Sequence, residues 1–268
     1  MMSLPKDFEN FTARLIETTK NIEGLLSEKE MKFLALLAAC PTAEGEILEI
    51  GSFKGKSTVI LAKGASLTAK TRVVAVDPLT SPATTDPDLK GQESSSGDFQ
   101  TNLRNAGVEK HVEFHRKRSR ELAKIWNRDI RLLWIDGDHT YAGTKSDFDM
   151  FSRFLSNGAI IAIHDVLHNF EGTIRVFLED VLLSKHFGPA GICGSIGWSQ
   201  YFKDSNIGRK FKHPKIKLYQ KLSRLLPYSV LNDDIKGFTK IKYKVLRSRI
   251  SHRDANPSKW LREVMFIE

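Results

Sequence analysis

Cysteine is scarce. The 268-residue chain has two, Cys40 and Cys193, at no spacing that a metal or redox motif would use. A reducing, cytoplasmic setting follows as the plain expectation. No run of about 18 apolar residues occurs, so a transmembrane helix is not expected. Met1 to Asn10 lack the basic and then apolar order of a secretory signal. Internal repeats are absent too. What remains is 41% hydrophobic, enough for a real core, and long enough for one α/β domain plus an extension.

Charge is unevenly placed. Residues 201–268 hold 17 Lys/Arg against 6 Asp/Glu, a net of +11. Subtraction from the totals of 41 and 32 leaves 24 and 26 for residues 1–200, a net of −2. The basic character therefore belongs to the tail.

The organising stretch is Ile47 to Ala62. A short apolar run ends on an acid, turns on Gly51 and Gly55, and becomes an apolar-periodic helix. This is the strand, loop and helix that open a nucleotide-binding α/β sheet. Glycine permits the tight turn and a close backbone approach, and the helix start near Lys56 suits an anionic group such as a carboxylate. A dinucleotide fingerprint fails because Phe53 stands where its second glycine belongs. A phosphate-binding loop fails because Gly51 and Gly55 enclose one residue too few. A turn that binds nothing is the remaining bland reading.

Upstream, residues 4–20 and 27–40 have helical spacing, with Ser27 and Glu30 as a capping box and Pro41 as a stop. These helices should lean on the sheet or on a partner subunit in a homo-oligomer. Further strands are expected at 72–77, 112–115, 130–135 and 159–163, with Gly158 breaking the helix before the last. Asp77, at the second strand end, could take a ribose diol or make a local turn. Residues 79–98 are polar and too long for a routine connection, as a functional lid or a disordered segment would be. Ser119 starts a short helix. A helix over 171–184 and a glycine-rich antiparallel pair over Phe187 to Phe202 close the sheet. Beyond it, Pro214, Pro227 and Pro257 punctuate short basic helices.

Asp136, His164 and Asp165 lie at adjacent strand ends, and an oxygen-rich set with one imidazole suits Mg²⁺ or Mn²⁺. His139 could act as a general base near neutral pH, or be a helix-start histidine bonded to backbone. His164 could equally orient Asp165 from behind.

Together Glu49-Ile50-Gly51 to Ser57-Thr58, Val76-Asp77-Pro78, Trp134 to Tyr141 and Ile163-His164-Asp165 resemble class I methyltransferase family 24, over residues 45–170 with weaker support to 202. The layout is also similar to metal-dependent catechol-type and macrolide-sugar O-methyltransferases. The resemblance implies a Rossmann-like, doubly wound α/β sheet of seven strands, mostly parallel with the last antiparallel. N-terminal helices (1–44) would precede it, and a basic helical extension (203–268) would follow the 45–202 domain. It implies S-adenosyl-L-methionine held by Glu49, Gly51, Ser52, Phe53, Gly55, Ser57, Asp77, Ser119 and Asp136. It implies Mg or Mn on Asp136 and Asp165, with His164 where relatives have an acid, and His139 as the base. The reaction implied is O-methylation of a sugar, glycan or glycolipid hydroxyl, or of a catechol-like or natural-product hydroxyl.

Rival readings come from other classes. Leu132 to Asp136 mimics the acidic strand of a phosphate-loop NTPase, although the loop spacing argues against one. A nucleic-acid methyltransferase is disfavoured, because Asp136-Gly137-Asp138-His139 replaces the Asn/Asp-Pro-Pro-Tyr/Phe run of base methylation. A non-catalytic binding protein that keeps the fold is the third. The tail is either a solvated helical face or a contact surface for an anionic partner, such as acidic glycan or a membrane surface reached peripherally.

Overall fold

The structure is a computed structural model, and it describes residues 7–67, 72–80, 96–230, 235–251 and 256–264. Two helices come first, α1 (Phe8–Thr19) and α2 (Glu28–Ala39). The capping box at α2 is complete: Ser27 Oγ accepts from the Glu30 N–H, and Glu30 Oε2 accepts from the Ser27 N–H at 2.8 Å. Then follow β1 (Glu46–Ile50), α3 (Lys56–Ala65), β2 (Val73–Val76), α4 (Ser96–Asn105), β3 (Val112–His115), α5 (Ser119–Ala123), β4 (Ile130–Ile135) and α6 (Tyr141–Phe151). The sheet is completed by β5 (Leu155–Ile163), α7 (Glu171–Val176, widening into a π-helical turn to Leu182), β6 (Phe187–Cys193) and β7 (Ile196–Tyr201).

Seven strands form one sheet in the order β3-β2-β1-β4-β5-β7-β6. All run parallel except β7, which is antiparallel to both β5 and β6. This is the doubly wound arrangement expected from the sequence. Alternation along each strand sorts side chains between two layers. Ile47, Val73, Leu132, Trp134, Ile160 and Ala162 face a core with α1, α2, α3 and α4. Leu48, Ile50, Val74, Val76, Leu133, Ile135, Ile161 and Ile163 face a second core with α5, α6 and α7. Burial on both faces explains why these strands read as unbroken apolar runs.

Gly158 does not break a helix. α6 stops at Phe151, a 3₁₀ turn (Ser152–Phe154) redirects the chain, and β5 begins at Leu155 and runs through Gly158. There φ is 89°, and a Cβ would sit 2.6 Å from the Thr42 carbonyl, so the glycine serves a close approach of the 40–45 loop. Of the polar 79–98 stretch, residues 81–95 lie outside the described residues. At its two ends, Leu79 is buried in the first core with a left-handed backbone (φ 47°), and α4 begins at Ser96.

The tail forms α8 (Ser205–Lys210), α9 (Lys212–Leu222), α10 (Leu226–Val230), α11 (Gly237–Ser248) and α12 (Pro257–Val264). Pro214, Pro227 and Pro257 each sit in a first helical turn, where a missing N–H costs nothing. The tail packs into both layers. Leu222, Leu225, Tyr243 and Ile250 join the second core, and Trp260 and Val264 join the first. Lys215 Nζ, buried, donates to the carbonyls of Ser184 and Phe187 at 2.5 Å each. Trp260 meets Trp198 of β7 at 4.7 Å and Phe33 of α2 at 5.7 Å between ring centroids.

Trp260→Ala should therefore cost about 3–5 kcal/mol, the range for deleting a buried aromatic. Chemical denaturation followed by circular dichroism would measure it, and a loss below about 1 kcal/mol would show α12 to be a loose appendage.

Candidate active site

The site forms where β1, β2, β4 and β5 end on one edge of the sheet. β1 and β4 are neighbours, so the loop after β1 must pass the residue after β4. Gly51 makes this feasible. Its φ is 87°, and a Cβ there would lie 2.2 Å from the Asp136 carbonyl oxygen. The glycine is needed for this backbone neighbour, where the sequence suggested only a turn and a ligand. The Asp136 N–H donates to the Ile50 carbonyl at 2.8 Å and the Gly51 N–H to that of Val76 at 3.1 Å. The loop continues through Phe53 (φ 45°) and Gly55 (φ 87°), both left-handed. The Gly55 N–H closes the turn on the Ser52 carbonyl at 2.7 Å.

Asp77 organises this loop. Its Oδ2 accepts from the N–H groups of Ser52 (2.7 Å) and Phe53 (2.9 Å), and its Oδ1 from that of Leu79 (2.7 Å). Three lone-pair positions are thus used, leaving one on Oδ1 for a ligand hydroxyl. The local turn weighed for Asp77 is present, together with a bridge to the glycine loop. Glu49 is fully buried beneath the loop. Its Oε2 accepts from Thr58 Oγ1 at 2.5 Å and Ser52 Oγ at 3.1 Å, while Oε1 is buried with no partner among the described residues. Burial pushes its carboxyl up to about 7, against the pull of those hydroxyl donors. Ser57 is buried in the first turn of α3. Ser119 Oγ donates to Asp147 Oδ1 at 2.5 Å, tying α5 to α6.

The second half of the site is a cluster of acids and imidazoles. One ligand atom each from Asp136, His139 and Asp165 lies within 4.8 Å of the others. His139 Nε2 is 3.8 Å from Asp136 Oδ1 and 3.7 Å from Asp165 Oδ2. Both ring nitrogens of His139 are buried without a hydrogen-bond partner among the described residues, and the ring stacks on Phe170 at 4.5 Å. His164 stands beside this triangle and is not one of its corners. Its Nδ1 contacts Asp136 Oδ1 at 2.9 Å, and its Nε2 lies 3.9 Å from Glu30 Oε1.

Asp165 is in the left-handed region at φ 58°, which an L-residue holds only when its surroundings fix it. The surroundings are specific. Its carbonyl accepts from Thr173 Oγ1 (2.9 Å) and the His168 N–H (3.0 Å), and the following N–H, of Val166, donates to Ser195 (2.9 Å).

Electrostatics follow from this crowding. Burial would lower both histidines, but the surrounding carboxylates outweigh it and raise them. Burial would raise Asp136, but His164 and His139 hold it below the usual carboxylate range. Glu30 behaves alike: burial is overcome by the His164 charge and by hydrogen bonds from Ser195 and Ser27. Glu30 was legible only as a helix cap. Its Oε1 in fact accepts from Ser195 N–H and Oγ, at 2.6 Å each, in the β6–β7 turn. Set among charged residues in Glu28-Lys29-Glu30-Met31-Lys32, it gave no further signal in the sequence. Phe170 had none.

Three carboxylates around two imidazoles, Glu30 and Asp165 buried and Asp136 half-buried, favour a bound cation. Ligand atoms around one divalent ion, at about 2.0–2.6 Å each, must lie within about 5 Å of one another. Asp136, His139 and Asp165 meet that condition, and the partnerless His139 nitrogens offer a donor, so the residues fit Mg²⁺ or Mn²⁺.

A sheet of this order, with a glycine loop and acids on its carboxyl edge, defines the class I methyltransferase fold. Residues 48–166 match the family model described as a methyltransferase domain, methyltransferase family 24. Among solved structures, the chain is similar to an O-methyltransferase from Bacillus cereus in complex with S-adenosylhomocysteine, at 19% identity and TM-score 0.53, covering 75% of this chain and 93% of that one. It is also similar to the O-methyltransferase NovP, at 12% identity and TM-score 0.56, covering 74% and 100%. A third is TomG from Streptomyces achromogenes, in complex with S-adenosylmethionine, at 18% identity and TM-score 0.50, covering 75% and 92%. These likenesses speak to the fold, and the domain match to the activity. Residues 48–166 therefore form a methyltransferase domain.

Glu49 gives this site a pH signature. Its folded value, about 7, lies above the 4.5 of the free side chain, so folding favours the protonated form. That contribution is full below about pH 4.5 and is lost as pH rises through about 7, a change of about 3 kcal/mol. Glu49→Gln, uncharged throughout, should flatten the fall in ligand-free stability across this window. Melting curves from pH 4.5 to 8 would show it, and parallel curves for variant and wild type would mean that Glu49 is ionised in the fold.

Proposed function

We propose that the protein is a divalent-metal-assisted O-methyltransferase acting on a hydroxyl of a sugar, glycan or glycolipid. The observation that carries this reading is the convergence of Asp136, His139 and Asp165 beside the Gly51–Gly55 loop. The methyl group arrives already activated on a sulfonium, so the chain's task is to align an acceptor oxygen and remove its proton. Asp136 and Asp165 would hold Mg²⁺ or Mn²⁺, which when bound lowers the pKa of a neighbouring hydroxyl. Glu49, Ser52, Ser57, Asp77 and the backbone of Gly51, Phe53 and Gly55 would hold the cofactor, with Ser119 near the adenine. Asp77 offers its one remaining lone pair to the ribose. His139 accepts the proton, its ring orientation fixed by Phe170. His164, bonded to Asp136 and backed by Glu30, orients that carboxylate. Phe170 stacks on His139 and also lies 6.3 Å from His168, giving the acceptor a flat apolar face of the kind that sugar rings and aromatics both use.

Two further readings have particular support. The partnerless nitrogens of His139 suit a third metal ligand as well as a base. A natural-product acceptor is the other, because TomG, involved in tomaymycin synthesis, shares the fold. The tail's net charge of +11 would draw an acidic partner to the acceptor side.

Transfer of a labelled methyl group to sugar acceptors tests the reading. Chelation should abolish it, and Mg²⁺ or Mn²⁺ should restore it. Asp136→Ala and Asp165→Ala should lose turnover while still binding S-adenosylhomocysteine. Full activity in excess chelator would remove the metal from the mechanism.

His139→Ala should lower turnover by about 10²–10⁴-fold and erase the acid limb of the pH–rate profile. Were metal affinity to collapse with it, His139 would be a ligand first.

Asp77→Ala should weaken S-adenosylhomocysteine by about 1–3 kcal/mol in calorimetry, through the ribose contact and the freed loop. Unchanged affinity would confine Asp77 to the loop.

A further inference from the structure

Helix α11 has two apolar faces, and the fold uses one of them. Tyr243, Leu246 and Ile250 are spaced by three and four residues and pack on the second core. Phe238, Ile241 and Val245 have the same spacing on the other side, and they stand 80%, 59% and 46% exposed. An exposed phenylalanine beside two exposed β-branched residues is not how a solvated helix face is built.

Charge surrounds this stripe. Residues 235–251 contain Lys236, Lys240, Lys242, Lys244, Arg247 and Arg249 and no acid. Lys242 lies four positions from Phe238 and three from Val245, and Lys244 three from Ile241, so cations border the stripe on both flanks. Among the described residues, no carboxylate pairs with Lys240, Lys242, Lys244 or Arg249. The helix is fixed to the site: Tyr243 Oη donates at 2.5 Å to the Leu167 carbonyl, two residues beyond Asp165.

We infer that α11 docks the enzyme on an anionic lipid bilayer, with Phe238, Ile241 and Val245 entering the interface and the flanking lysines meeting lipid phosphates. An apolar stripe edged by long basic side chains matches the depth profile of such a surface, apolar below and anionic above. Nucleic acid would use the cations and leave the stripe in water. A second copy docked by a two-fold axis would bring like-charged flanks together. The inference goes beyond the proposed reaction and holds whatever the acceptor is. It places the residues after Asp165 close to the membrane surface, where a hydroxyl on a lipid-linked molecule would be presented.

The test uses the full chain in co-sedimentation with vesicles of phosphatidylcholine alone and of phosphatidylcholine with phosphatidylglycerol. The wild type should partition onto the anionic vesicles and leave them in high salt. Two triple variants separate the contributions: Phe238→Ser with Ile241→Ser and Val245→Ser, and Lys240→Glu with Lys242→Glu and Lys244→Glu. Each should reduce partition at least about tenfold, with S-adenosylhomocysteine binding retained as the measure of an intact fold. Equal partition onto both vesicle types, no partition at low salt, or binding indifferent to the apolar variant would overturn the inference. So would a wild-type dimer in light scattering that the apolar variant splits, which would make a second copy the occupant. Loss of methyl transfer with vesicle binding intact would count against the proposed reaction alone.

Discussion

Position 51 has room for a hydrogen and for nothing larger. A Cβ there would meet the Asp136 carbonyl at 2.2 Å, closer than any real contact. This constraint joins the two halves of the site. On one side runs the loop that Asp77 gathers through two of its N–H groups. On the other stands the residue that opens the acid and imidazole cluster. Because β1 and β4 are paired, the glycine loop and Asp136 come to lie side by side. The methyl transfer proposed above would need that proximity more than any single functional group.

The cluster itself is held under tension. Asp165 keeps a left-handed backbone that its hydrogen bonds with Thr173, His168 and Ser195 maintain. Glu30, Asp136 and Asp165 crowd two imidazoles; the carboxylates raise both histidines, and His164 holds Glu30 and Asp136 low. In the reaction proposed above, a metal ion between the carboxylates would take the place of a proton on His139 and leave its ring free to act as the base.

Elements outside the central fold turn out to support its edge. α2 supplies Glu30, which caps its own helix and reaches under His164 to the β6–β7 turn. The tail wraps both faces of the sheet, with Tyr243 on one and Trp260 on the other. Lys215 gives its charge to two carbonyls in the interior. The division into helices, domain and extension is therefore one of chain order, because the segments share their cores.

Much of the fold was legible in the sequence, because strand burial and helix capping are local. A mostly apolar run named β4 to the residue and an alternating stretch named β3, and Ser27 with Glu30 marked the start of α2. The resemblance carried by Glu49 to Thr58 and by Trp134 to Tyr141 pointed to the methyltransferase domain. What depends on residues far apart in the chain was not legible. Gly158 looked like a helix breaker because Thr42, whose carbonyl it faces, is remote in sequence. Glu30 looked like a cap and nothing more because Ser195 and His164 come near it only in the folded sheet. His139, His164 and Asp165 could be assigned to a site from the sequence. Which nitrogen faces which carboxylate was decided by the pairing of β4 with β5 and by Phe170 stacking on one ring. Periodicity and spacing are properties of a segment; the convergence of side chains is a property of the sheet.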